Sequence, residues 1–247
     1  MQKTILFLFL ALSISGFAQQ GTTKKDGGLL NKANGIFKKA TGGGSALSND
    51  EIIAGLKEAL SVGANNSSQK LAAVDGFFAN AAIKVLMPEE AKKVESTLRS
   101  AGMGSMVDKA ILSMNRAAEE ASKSAAPIFL DAIKGMSFQD ALSILKGTDT
   151  AATGYLRGKT SGALTTAFKP VIDAALEKTN ATKYWKDVFE TYNKLPTTFK
   201  KVNTDLSGYV TDKALGGLFY QVALEEQKIR KDPAARVTDV LKKVFAN

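Results

Sequence analysis

Residues 48–60 read Ser48-Asn49-Asp50-Glu51-Ile52-Ile53-Ala54-Gly55-Leu56-Lys57-Glu58-Ala59-Leu60, and this stretch decides the fold. Ser48 and Glu51 stand three residues apart as a capping box, in which each side chain accepts the other residue's backbone N–H. Leu47 and Ile52 occupy the flanking staple positions. Ile52, Leu56, Ala59 and Leu60 then share one face at helical spacing. A folded helical body starts here.

The same punctuation continues towards the C-terminus. Gly63 and Asn65-Asn66 weaken the first helix, and Leu71, Val74, Phe77 and Phe78 make a second apolar face. Ile83 to Met87 stops at Pro88, so it reads as a short extended piece or a helix end. Pro88 with Glu89 and Glu90 suits a first turn, with carboxylates at the positive end of the dipole. Val94, Leu98 and Ala101 follow, and Gly102 stops that helix. Ser105 with Asp108 opens the next, whose inner face is Val107, Ile111, Met114 and Ala118. Pro127 restarts the chain for Ile128, Phe129, Ala132 and Ile133; Ser137 and Asp140 open a further helix that Gly147 closes. Thr148 or Asp149 opens a segment with Tyr155, Leu156, Leu164 and Phe168, in which Pro170 predicts a kink or break. Tyr184, Trp185, Val188, Phe189 and Tyr192 form an aromatic stripe, at spacings ordinary for a core face. Asp205 begins the longest segment, with Tyr209, Val210, Ala214, Leu218 and Val222 on one face. Asp232-Pro233 then leads to Val237, Val240, Leu241, Val244 and Phe245. About nine helices, no alternating strand pattern and no fixed repeat predict an all-α, irregular multi-helix bundle.

Upstream of Ser48 the chain has a different character. Residues 1–18 open on Lys3, run through the apolar stretch Ile5 to Ile14, and end on Gly16-Phe17-Ala18. This is the layout of a secretory signal peptide, and the run is about half the ~20 residues that cross a bilayer as a helix. Residues 19–47 are rich in Gly, Lys, Thr and Asn and contain Gly42-Gly43-Gly44, which sets almost no backbone preference, so they read as a basic linker. The expected organisation is signal peptide 1–18, linker 19–47 and helical domain 48–247, with an exported, periplasmic or envelope-associated address.

Charge follows this division. The formal net charge is +9, and removal of 1–18 leaves +8. Lys24, Lys25, Lys32, Lys38 and Lys39 face Asp26 alone, so 19–47 carries +4 in 29 residues. With Leu29, Leu30, Ala33, Ile36 and Phe37 at helical spacing, these lysines predict weak contact with an anionic membrane or envelope polymer. A solubilising tail is the alternative. Nucleic acid is not an expected partner, because no basic patch is interleaved with aromatics.

The chain has no Cys and no His. The mature start therefore cannot be lipidated at a lipobox, no disulfide can staple the fold, and stability falls to a buried apolar core. A thiolate nucleophile, a Ser-His-Asp triad and a thiolate or imidazole zinc site are excluded. Catalysis would have to rest on Asp, Glu, Lys, Tyr, Ser or an oxygen-ligated hard cation. No nucleotide or metal motif is present, and no cofactor is expected.

From Ser113-Met114-Asn115-Arg116-Ala117-Ala118-Glu119 onwards the sequence resembles a bacterial exported family known as domain of unknown function 4197. The likeness continues through Ala126-Pro127-Ile128-Phe129, Ala151-Ala152-Thr153-Gly154-Tyr155-Leu156-Arg157, Phe168-Lys169-Pro170 and Tyr192-Asn193-Lys194-Leu195-Pro196. It is densest at the C-terminal end, through Asp205-Leu206, Tyr209-Val210-Thr211, Gly217-Leu218-Phe219, Glu225-Glu226 and Pro233 to Phe245. It spans about Leu56 to Phe245. The resemblance implies an exported helical domain and implies no activity.

Asn115, Arg116, Glu119, Asp131, Tyr155, Arg157 and Arg230 are the candidate polar cluster, set in otherwise apolar segments, with Asn193 a further such residue. Arg116 can reach Glu119 or Glu120 on its own helix. One reading is a polar cleft binding an anion through Arg116 and Arg157. A second pairs Glu119 with Asp131 for glycosidic hydrolysis. The third is a buried ion-pair network that fixes helix register. The expected function is a non-enzymatic binding or structural module of the envelope. The alternatives are a carboxylate-dependent hydrolase of an envelope polymer and an anionic-ligand or lipid-binding protein.

Overall fold

The computed structural model describes residues 48–194, 201–202, 204–232 and 242, apart from the side chains of 184, 187, 188, 191 and 192. The signal peptide, the linker and its five lysines, Leu47, Leu195-Pro196 and the helix expected after Pro233 lie outside the described residues. The elements are α1 (Asn49–Ala72), a 3-10 turn (Glu89–Ala91), α2 (Lys92–Ser100), α3 (Gly104–Ser122), α4 (Ala125–Lys134), α5 (Phe138–Leu145), α6 (Ala151–Lys178), α7 (Ala181–Asn193) and α8 (Leu206–Lys231). No strand occurs among the described residues. The protein is an all-α multi-helix bundle.

Local signals open several of these helices as the sequence predicts. The Ser48–Glu51 box is formed, with Ser48 N–H donating to Glu51 Oε2 at 2.8 Å. Ser137 and Asp140 make a second box in front of α5. Asp205 accepts from Gly208 N–H at 2.8 Å and starts α8. Gly102 takes φ 78° behind α2, a conformation that favours glycine.

Three local expectations are overridden by tertiary packing. Helix α1 runs unbroken through Gly63, Asn65 and Asn66. Gly63, Ala64, Ser67 and Ser68 are buried, and a Cβ at Gly63 would sit in van der Waals contact with Glu225 and Ile229 of α8. The packing there would accept an alanine as well as the glycine. Helix α6 likewise continues past Pro170, which is exposed. Leu164, Phe168, Ile172 and Leu176 are fully buried on its inner face, and their packing outweighs one missing N–H. At α3, Ser105 does not cap: the helix begins at Gly104 with no side-chain cap, and Asp108 instead pairs with Arg99 of α2 at 2.9 Å.

The core is a contiguous apolar cluster running from Leu56 in α1 to Val222 in α8. Helix α6 lies chiefly against α8 and α3, while α1 covers α8 and α4. Helix α7 leans on α6 and α8, so its buried Trp185 and Phe189 stand where these elements meet α3.

Candidate functional site

One stretch without helix, 73–88, is pinned by polar groups projecting from α3. Asn115 is fully buried. Its Oδ1 accepts from Val85 N–H at 2.9 Å, and its Nδ2 donates to Val85 C=O at 2.8 Å and to Ile111 C=O at 2.7 Å. One amide thus supplies an extended residue with both partners a strand neighbour would give it. One turn further on, the Glu119 carboxylate accepts from Phe77 N–H at 3.1 Å and Phe78 N–H at 3.2 Å. Arg116 completes the knot, donating to Glu119 at 2.6 Å and to Asp75 at 2.7 Å. These bonds, Glu119 first, raise the Arg116 guanidinium above its ordinary pKa. Asp75 itself sits at φ 67°, a strained value for a non-glycine residue that the ion pair holds in place.

A second knot lies elsewhere, where α8 meets the start of α6. Glu226 accepts from Ala152 N–H at 3.0 Å, Thr153 N–H at 2.8 Å and the Thr153 hydroxyl at 2.8 Å. Arg230, one turn on, pairs with it at 2.9 Å and donates to Ile144 C=O at 2.7 Å. Asn193 repeats the Asn115 device on Val202, with N–H and C=O both met at 2.8 Å.

The candidate cluster therefore divides. Asn115, Arg116 and Glu119 act together, and Arg230 belongs to the second knot. Asp131 is an exposed residue of α4 paired with Lys134 at 3.1 Å. Arg157 is exposed and covers the Phe219 ring from 4.8 Å. Tyr155 reaches Ala132 C=O at 3.5 Å, and burial, then Asp140, raises its pKa. Asp75 and Glu226 are partners that sequence reading did not single out. For Glu226, the i,i+4 spacing to Arg230 on a buried helix face is the signal that was there to find.

With 81–88 pinned, Met87 and Trp185 become a shared wall between two openings. On one side is a pocket of about 520 Å³ between α3, the end of α6 and α7. Leu98, Val107, Met114, Phe189 and Leu206 make it apolar, and among the described residues Lys109 is its one charged side chain. On the other side a wider groove of about 970 Å³ runs along α8, past Lys84, Glu90, Tyr209, Asp212 and Lys213. Trp185 packs on Phe189 with ring centres 4.5 Å apart and stacks on Tyr209 at 6.4 Å. Tyr209 donates its hydroxyl to Leu86 C=O at 2.8 Å. Burial, and then Glu90 and Glu89, push that phenol up to about 12.

Among the described residues no three or more acidic side chains gather in a way that could hold a metal ion, and no helix is long and apolar enough to cross a membrane. The arrangement is that of an all-α domain with a preformed apolar pocket and buried polar knots that fix its walls. Residues 46–246 match the family described as protein of unknown function (DUF4197), and the chain belongs to that family. No curated protein and no solved structure matches it.

Proposed function

We propose that the protein is an exported, non-enzymatic binding module of the cell envelope whose pocket beside Trp185 takes a small apolar or amphipathic molecule. The export half rests on the layout of residues 1–18. The binding half rests on one observation: an open, apolar pocket of about 520 Å³ built on pinned elements. That volume lies in the range of ordinary small-molecule sites, ~300–1,000 Å³. Three methionines, Met87, Met106 and Met114, line it and allow it to adapt to ligand shape.

The buried carboxylates favour this reading over hydrolysis. Glu119 and Glu226 each accept two backbone N–H groups and an arginine. A general acid needs access to substrate, and these oxygens are occupied in holding the fold. Glu119 is buried and Asp131 is exposed beside Lys134, which gives no shared cleft for a glycosidase pair.

The test is a titration with N-phenylnaphthylamine, a neutral probe that brightens in apolar sites. Saturable binding by the mature chain, abolished when Ala110→Trp fills the pocket, is the expected result. Binding unchanged by Ala110→Trp, in a variant with wild-type helicity, would place the apolar site elsewhere.

A further inference from the structure

Among the described residues the pocket has one cation, and its lip is made of exposed apolar side chains. Lys109 projects from α3 between Met106, three residues before it, and Leu112, three residues after. Met106 is 48% exposed and Leu112 36%, and both line the pocket. Large apolar groups left open to water around a cavity mark a contact surface. Among the described residues Lys109 has no ion pair, although its neighbour Asp108 is taken by Arg99 at 2.9 Å. The pocket walls supply no acidic group among the described residues. Behind the lip, Met114, Trp185 and Phe189 are buried and form an apolar interior.

We propose that the pocket binds a single-chain amphiphile with a carboxylate head, an alkyl carboxylate of the fatty-acid class. Its chain lies against Met114, Trp185 and Phe189, and its head meets the Lys109 ammonium at the lip. This rests on the apolar-pocket reading above and adds the charge of the ligand to it. A neutral ligand would leave the exposed Lys109 ammonium to water and use none of its charge. A cationic one would be repelled by it. A carboxylate gains a charge-assisted hydrogen bond there while the lip covers the first methylenes.

Trp185 is the single tryptophan of the chain and lines both the pocket and the groove beside it, so a change in its fluorescence reports a ligand at this wall. Mature protein is titrated with decanoate, dodecanoate and tetradecanoate below their aggregation limits, and with dodecanol as the uncharged match. Affinity is expected to rise about tenfold for each added pair of methylenes. Dodecanoate is expected to bind roughly fivefold tighter than dodecanol. Lys109→Met should remove that preference and Lys109→Glu should reverse it, each read as the ratio of dodecanoate to dodecanol affinity in the same variant. Lys109 is exposed, and matching helicity and melting of the variants will show that both are folded. Equal binding of dodecanoate and dodecanol, or a preference that survives Lys109→Met, overturns the head-group assignment and leaves the apolar pocket standing. Absence of binding by every member of the series overturns both.

Discussion

Glu226 caps a helix from across the chain: its carboxylate accepts the N–H and the hydroxyl of Thr153, 73 residues before it, each at 2.8 Å. Helix α6 has no side-chain cap of its own at Thr150. Its first-turn N–H groups, unsatisfied within any helix, are met by a carboxylate from α8, whose charge also suits the positive end of the α6 dipole. Glu226→Ala is expected to cost about 3 kcal/mol or more, because it orphans those donors and takes the Glu226 carboxylate away from the nearly buried Arg230. Urea unfolding of the two chains measures it. A loss under 1 kcal/mol would show that water replaces the cap.

The knot at α3 is expected to respond unequally to its two ionic members. Glu119 is buried and holds two backbone N–H groups, whereas the Arg116 side chain is 38% exposed. Arg116→Ala leaves the Glu119 carboxylate with both N–H donors and should cost about 1 kcal/mol. Glu119→Ala strands one buried and one part-buried donor and should cost about 3 kcal/mol. Equal losses in matched urea unfolding experiments would contradict this ordering.

Asn115 links stability to the pocket. Removing its amide in Asn115→Ala leaves Val85 N–H and C=O buried without partners, at about 1–3 kcal/mol for each orphan. Met87, two residues on, is a wall of the pocket, so freeing this segment should also weaken binding of N-phenylnaphthylamine. Destabilisation with unchanged affinity, measured well below the midpoint of unfolding, would separate the clamp from the pocket.

How much of this was legible beforehand depends on how far along the chain each cause lies. The Ser48–Glu51 and Ser137–Asp140 boxes act over three residues, and the sequence displays them directly. The cap of α6 joins positions 73 residues apart, so local spacing points to Thr148 or Asp149 as the opener when neither is. Gly63 and Pro170 were read by propensity, yet both lie inside helices whose buried faces supply more stabilisation than the local penalty removes. Within the polar cluster, Arg116 and Glu119 share one helix and could be paired by spacing, but Asp131 stands exposed on another element beside Lys134. The pocket had no sequence signature, because its walls come from the 3-10 approach, α2, α3, α6, α7 and α8 at once.

Two adjacent glycines of α8 give a sharp contrast. A Cβ on Gly217 would meet the Phe77 ring at 2.5 Å, whereas nothing lies within 4 Å of one on Gly216. Gly217→Ala must displace a fully buried phenylalanine and should destabilise by about 1–3 kcal/mol. Gly216→Ala adds a helix-favouring residue in open space and should stabilise by up to about 1 kcal/mol. Thermal melts of the pair will show shifts of opposite sign; shifts of the same sign would mean that α8 does not approach Phe77 so closely.

Tyr209 sets the behaviour of the fold at alkaline pH. Its phenol is half-buried, stacked on Trp185 and hydrogen-bonded to Leu86 C=O, and burial is the leading reason its pKa rises to about 12. Ionisation would put a negative charge into this low-dielectric contact, close to Glu90 and Glu89, and would remove the proton donated to Leu86. The folded state therefore holds the phenol proton more tightly than the unfolded chain, whose tyrosines titrate near 10. That preference is a stabilisation fully present below pH ~10 and lost as pH climbs towards the folded value of about 12. Tyr209→Phe removes the titrating group, so its stability should fall less steeply than wild type across this window, even if it starts lower for want of the Leu86 bond. Urea midpoints measured at intervals of pH will show the two curves converging. Parallel curves for the two chains would mean that Tyr209 titrates as a free phenol and that the wall between pocket and groove is open to water.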